Sequence, residues 1–275
     1  MPIVALSQAD WHDHVARVMI QALRDTLGVQ QRCALSLSGG NTPRALYTRL
    51  AMPDMHHAVD WTRVHLFWGD ERYVSPTDPR SNFRMVYESW LQYSPIPPEN
   101  YHPIPTDCPD PSECARRYEL ELRHYFGGAI PAFDLTLLGL GEDGHTASLF
   151  PGDAALHAWH QWVAVGHAPV EPRIRITLTL PVLNASKQVW FLVAGASKRK
   201  VLQRVWQGDL SLPASHIQPA GELIWWIIRV LRRGDPGLQP WGGAPPHLLS
   251  CGIISSELWY NLLRTLTSKS SGGSA

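Results

Sequence analysis

The sequence has no surplus of charge of either sign: 24 Lys and Arg stand against 24 Asp and Glu, for a formal net charge of +0. That balance argues against the basic footprint of a nucleic-acid-binding surface. No run is long and apolar enough to suggest a membrane span. The opening residues, Met1-Pro2-Ile3-Val4-Ala5-Leu6-Ser7, lack the basic flank and long apolar core of a signal peptide, so a reducing cytoplasm is the expected setting. Cysteine is scarce, with 4 in 275 residues. Cys33, Cys108, Cys114 and Cys251 have neither zinc-site nor redox-pair spacing, and Cys33, inside an apolar run, reads as a small core residue. The 13 histidines include no H-E-x-x-H pair, and there is no G-x-S-x-G nucleophile elbow. Neither a metal nor a cofactor is expected, and no internal repeat is visible.

What is present is alternation. Apolar runs of four to six residues at Ile3, Cys33, Val64, Asp134 and Val189 are separated by segments with helical spacing. The helical segments are expected over residues 9–27, after Thr42, from Ser81, over 111–126, and from Ser197 to a stop at Gly208. Such alternation predicts βαβ units and a parallel sheet. The proline-rich stretch 94–111 reads as surface connection. With 44% hydrophobic residues, the chain has ample core for one α/β domain.

The chemistry gathers where runs of strand type end. After residues 134–138 comes Gly139-Leu140-Gly141-Glu142-Asp143-Gly144-His145, a glycine-rich turn presenting an acid and a histidine. It matches G-x-G-x-x-G, but a dinucleotide site needs a long helix next and an acid about 20 residues on. Pro151 and Gly152 cut the next segment short, and the following run, 162–166, ends without Asp or Glu. By themselves these residues also fit a plain strand-to-helix loop in which His145 only caps or packs.

Ser38-Gly39-Gly40-Asn41-Thr42-Pro43 follows the Cys33 run. Thr42 suits an N-cap and Pro43 the first helical position. Unpaired N–H groups there favour an anion such as phosphate, although a well-capped βα turn would look the same. Trp68-Gly69-Asp70-Glu71-Arg72 ends the Val64 run and leads to Ser81-Asn82; in isolation it fits a solvated salt-bridge cluster. Gly195-Ala196-Ser197-Lys198 puts a lysine at a helix start, where it opposes the macrodipole unless an anion sits nearby. Arg175 opens an alternating Arg-Ile-Thr-Leu-Thr segment, as a ligand contact or as an edge-strand charge.

In their order and spacing these six segments resemble the 6-phosphogluconolactonase family, within the larger group that includes glucosamine-6-phosphate isomerases. The resemblance covers about residues 3–226, and the 139–151 block is its most specific part. It implies a three-layer, Rossmann-like α/β fold with a central, mainly parallel sheet flanked by helices. It also implies hydrolysis of 6-phospho-D-glucono-1,5-lactone in the oxidative pentose phosphate pathway. His145 would be the general base on water and Asp143 would orient it or a substrate hydroxyl. Substrate and phosphate binding would fall to Ser38, Gly39, Gly40, Asn41, Thr42, Asp70, Arg72, Asn82, Gly141, Gly144, Arg175 and Lys198. The partner is then a small sugar-phosphate lactone, bound by a monomer or weak homo-oligomer.

Two alternatives stand beside it. Isomerases of the group carry a functional Glu after the Gly-His pair, where this chain has Ala147-Ser148-Leu149-Phe150-Pro151. A non-catalytic sugar-phosphate sensor would keep the phosphate loop and lose the acid–histidine pair, which is intact here. The resemblance stops after Trp225-Trp226. Residues 227–275 form an atypical tail, ending in a small polar stretch expected to be disordered; a frame change near Ile227 or a genuine extension would each produce such a join.

Overall fold

The computed structural model describes residues 2–229, all within one unit of the chain. Expectations for the rest of the tail lie outside the described residues. In chain order the elements are β1 (Ile3–Ser7), α1 (Gln8–Val29), β2 (Cys33–Leu37), α2 (Asn41–Leu50), β3 (Val64–Trp68), β4 (Asp70–Arg72), α3 (Asn82–Ser89) and β5 (Tyr101–His102). There follow α4 (Pro111–Tyr125), β6 (Leu135–Leu138), β7 (Val163–His167), β8 (Ile174–Leu178), α5 (Leu180–Asn184), β9 (Gln188–Ala194), α6 (Arg199–Trp206) and β10 (Glu222–Arg229).

Seven strands form one sheet in the order β1-β10-β9-β6-β2-β3-β5, and every pairing in it is parallel. The chain builds outward from β2 to β3 and β5, then reverses and places β6 on the other side of β2. The gap between the carboxyl ends of β2 and β6 is therefore the topological switch point, where open α/β sheets bind ligands. A second sheet, β4-β8-β7, is antiparallel. The alternation pattern did not foresee it, because β4 has three residues and β8 reads as an isolated alternating segment.

The sheet interior explains the strand composition. On β9 and β10, Phe191 stacks on Trp225 with ring centroids 4.0 Å apart, while Trp190 packs on Trp226 at 5.2 Å. These pairs alternate in sequence and so lie on opposite faces. All four rings are buried, which is why both strands are almost continuously apolar. Ile227 and Ile228 are also buried, in register with Val193 and Ala194. The expected break after Trp226 therefore falls inside a strand.

Local rules account for most element ends, with instructive exceptions. Ser81 caps α3 by accepting from the Arg84 amide, and Asp110 caps α4 through the Ser112 amide. Thr42 does not cap α2: the cap is Gly40, at φ 103°, and Thr42 and Pro43 lie inside the first turn. Ser197 likewise lies within a short 3₁₀ turn, Ala196–Lys198, and caps nothing. Gly28, expected to end the first helix, sits inside α1. The proline-rich connection contains β5, held by Leu66 and Phe67 of β3. Cys108 and Cys114, six residues apart, are joined in a disulfide, whereas Cys33 is a buried free thiol in β2.

Candidate active site

A cleft of about 490 Å³ opens at the switch point. The loop after β2 supplies one wall with Ser38, Gly39, Gly40, Asn41 and Thr42, and the turn after β6 supplies the facing wall with Gly141 and His145. Asp70 and Arg72 of β4, Asn82 of α3, Arg175 of β8 and Lys198 beyond β9 complete the lining. Twelve of the fourteen expected residues thus converge on one cavity. Asp143 and Gly144 stand outside the lining, in the turn that holds His145.

The acid–histidine pair is well made. His145 Nδ1 lies 2.5 Å from Asp143 Oδ1, and the same oxygen accepts the His145 amide at 3.1 Å. Burial pushes the Asp143 carboxyl up, but the hydrogen bond and charge of His145 outweigh it and hold the group below its ordinary value. With Nδ1 engaged, Nε2 is the ring nitrogen left for chemistry. The pair folds over Gly141, where an added Cβ would lie 2.1 Å from His145 Nδ1 and 2.5 Å from Asp143 Oδ1. Glycine there is a steric requirement of the pair. Gly144 supplies the turn's left-handed position at φ 84°. Phe150 packs against the imidazole, with ring centroids 4.6 Å apart.

The rest of the lining gathers a helix amino end and positively charged side chains. Helix α2 begins with no side-chain cap, and its first turn lines the cavity. A helix amino end carries unpaired N–H groups and a partial positive charge. The loop before it is clamped by Tyr47, whose hydroxyl accepts the Ser38 amide at 3.1 Å and donates to the Ser38 carbonyl at 2.9 Å. Arg72 and Arg175 are cross-strand neighbours on β4 and β8. Arg175 is buried, and its Nε has no partner. Burial first, and the adjacent Arg72 charge second, lower its pKa, while Asp70 and Glu71 oppose the shift. Strand β8 is the middle strand of its sheet, so the edge-strand reading of Arg175 is corrected: this is a desolvated guanidinium at a cavity. Lys198 Nζ approaches Glu142 Oε1 at 4.0 Å.

Glu71 is not part of a solvated cluster. It is 2% exposed and accepts the amides of Asn82 at 2.7 Å, Phe83 at 2.8 Å and Arg72 at 2.7 Å, together with the Ser81 hydroxyl at 3.0 Å. It ties β4 to the amino end of α3 and so positions Arg72 and Asn82. Sequence reasoning also missed Ser148 and Phe150, which line the cleft. Both lie in the 146–151 segment, quoted for what it lacked rather than for what it holds. Among the described residues, the grouping with metal-holding geometry is Asp107, Cys108 and Cys114, whose two cysteines are joined to each other.

Comparison with known proteins gives the chain a family. Residues 7–226 match the model of the glucosamine-6-phosphate isomerases/6-phosphogluconolactonase family. A 6-phosphogluconolactonase of Synechocystis sp. is 48% identical over 199 residues, covering 70% of this chain and 80% of the relative. One from Nostoc sp. is 42% identical over 216 residues, covering 76% and 88%. The crystal structure of a 6-phosphogluconolactonase from Thermotoga maritima superposes with a TM-score of 0.74 at 30% identity, over 83% of this chain and 99% of that one. A monomeric glucosamine-6-phosphate deaminase, at 20% identity and a TM-score of 0.68, shares the fold. The chain belongs to the glucosamine-6-phosphate isomerase/6-phosphogluconolactonase family.

Proposed function

We propose that the protein hydrolyses 6-phospho-D-glucono-1,5-lactone to 6-phospho-D-gluconate, the lactonase step of the oxidative pentose phosphate pathway. The observation that carries this reading is one cavity lined by a carboxylate-buttressed histidine, an uncapped helix end and a buried arginine whose Nε has no partner. The phosphate rests on the α2 amino end, neutralised by Arg72, Arg175 and Lys198. His145 Nε2 takes a proton from water as that water attacks the lactone carbonyl. Loop amides receive the charge that develops on the carbonyl oxygen. Collapse of the tetrahedral intermediate breaks the bond to the ring oxygen, and the imidazolium returns the proton to it. Water is consumed, no covalent enzyme intermediate forms, and the base ends as it began.

The isomerase reading is disfavoured by residues 146–151, which bring no carboxylate to the cleft for enolisation. The decisive assay is lactone hydrolysis above its spontaneous rate, run beside glucosamine 6-phosphate deamination. Lactonase activity without deamination supports the proposal; the reverse pattern overturns it, and binding without turnover would make the protein a sensor. The proposal includes a cytoplasmic setting, checked by fractionation, and a monomer or weak homo-oligomer, checked by sedimentation. Among the described residues, no helix is long and apolar enough to cross a membrane.

A further inference from the structure

Along β4, Asp70 and Arg72 are two residues apart and project to the same face. Arg175 lies directly across from Arg72, and Thr177 across from Asp70. A buried carboxylate beside two guanidinium groups would ordinarily pair with them, because such hydrogen bonds are the strongest on offer. Here it does not. Asp70 Oδ2 accepts the Ser148 hydroxyl at 2.6 Å, and Asp70 Oδ1 faces Asn82 Nδ2 at 3.5 Å. Arg72 donates to the Arg80 carbonyl, and Arg175 Nε stays unpartnered.

Ser148 is itself held from several sides. It is 1% exposed, and its amide donates to Thr177 Oγ1 at 3.2 Å. Its carbonyl packs so closely on Gly166 that a Cβ there would lie 2.5 Å from the oxygen. The residue before it, Ala147, has a left-handed backbone at φ 48°, which an alanine adopts only at a cost. The backbone thus aims the hydroxyl across the cleft floor from the histidine loop to β4.

We propose that Ser148 is a positioning residue that holds the Asp70 carboxylate off Arg72 and Arg175, leaving Arg175 and the Arg72 donors not engaged by the Arg80 carbonyl open to a phosphorylated ligand. This rests on the phosphate reading above. Without the hydroxyl, the carboxylate turns toward the arginines and competes with the phosphate. The cost falls on ligand binding, while the His145 chemistry is spared.

The test is a double-mutant cycle on the full chain, read by calorimetry with 6-phosphogluconate and by steady-state hydrolysis. Ser148→Ala is expected to weaken binding and raise KM by ~10-fold, with kcat changed much less. In an Asp70→Asn background, where no carboxylate is left to capture the arginines, the same Ser148→Ala change should alter binding less than ~2-fold. Ser148→Thr keeps the hydroxyl and should bind like the parent. Melting curves establish that each variant is folded. Equal losses in both backgrounds, no loss with Asp70 present, or a fall in kcat at constant KM would each overturn the proposal. A parent that does not bind 6-phosphogluconate would overturn the phosphate reading and this proposal together, whereas binding by the parent with an unaffected Ser148→Ala variant would sink this proposal alone.

Discussion

At the scale of single residues, the histidine turn divides two roles that mutation can separate. His145→Ala should lower kcat by ~10²–10⁴-fold, the usual contribution of a general base. Binding of 6-phosphogluconate should be nearly unchanged, because the groups proposed to hold the phosphate lie on other segments. Near-normal turnover in the purified variant would mean that the base lies elsewhere. Asp143 makes a pH prediction. Its native pKa is depressed, with His145 outweighing the upward push of burial. A depressed carboxyl contributes stability above its unfolded value and loses it as pH falls through the lower native value. Asp143 therefore stays ionised through the mildly acidic range, and the acid limb of kcat/KM should follow one proton. A limb with a slope of two would show Asp143 protonating alongside the base. Motif order put His145 and Asp143 on one strand-end turn, but their 2.5 Å contact is a product of the turn and of the bare α-carbon at Gly141. Spacing alone left the histidine equally readable as a cap.

At the scale of elements, the site depends on how strand ends join helix starts. Glu71 is the main join between β4 and α3. Replacing it with Ala would leave the buried amide of Asn82 and the half-buried amide of Phe83 without acceptors, at about 1–3 kcal/mol for a fully buried group and less for the other. The Glu71→Ala protein should melt roughly 5–10 °C lower and bind 6-phosphogluconate more weakly, since Arg72 and Asn82 both hang from that join. A variant with parental melting and affinity would show that the strand holds its shape without the carboxylate. The β2–α2 join makes a second prediction. A Cβ at Gly39 would lie 2.0 Å from Asn82 Oδ1, and Asn82 is itself buried and bonded to the Asp70 carbonyl. Gly39→Ala should therefore displace Asn82 and weaken phosphate-ligand affinity, by ~10-fold, which calorimetry reads directly. Helix existence was legible from apolar spacing in α1, α3 and α4. Helix caps were less so, because Thr42 and Ser197 have suitable side chains at unsuitable backbone positions. Gly40 displaced Thr42 because the approach to α2 demands a φ of 103°, which a threonine would adopt only under strain.

At the scale of the whole molecule, β10 is the last described element and sits between β1 and β9. Its burial of Trp225, Trp226, Ile227 and Ile228 makes it integral to the sheet; truncating a buried Trp alone costs about 3–5 kcal/mol. Every proposed site residue lies at or before Lys198. A protein shortened to residues 1–233 should thus keep its lactonase activity and melt close to the full chain. One shortened to residues 1–221, which lacks β10, should not fold. Lost activity together with a clear drop in melting temperature for the 1–233 protein would show that the tail docks on the sheet.

What the sequence determined by itself was the set of parts. Apolar period, strand-end glycines and the order of six motifs were enough for a parallel α/β fold and for the loops that line the cleft, because these are local properties of the chain. What only the tertiary structure decided was which groups meet. The β4-β8-β7 sheet places Arg175 against Arg72 across about a hundred residues of chain, and the same sheet brings Ser148 to Asp70. Neither contact leaves a periodic trace. Each depends on strand pairing at long sequence separation, and whether a guanidinium is a solvated surface charge or a buried anion ligand is set by what the rest of the fold places over it.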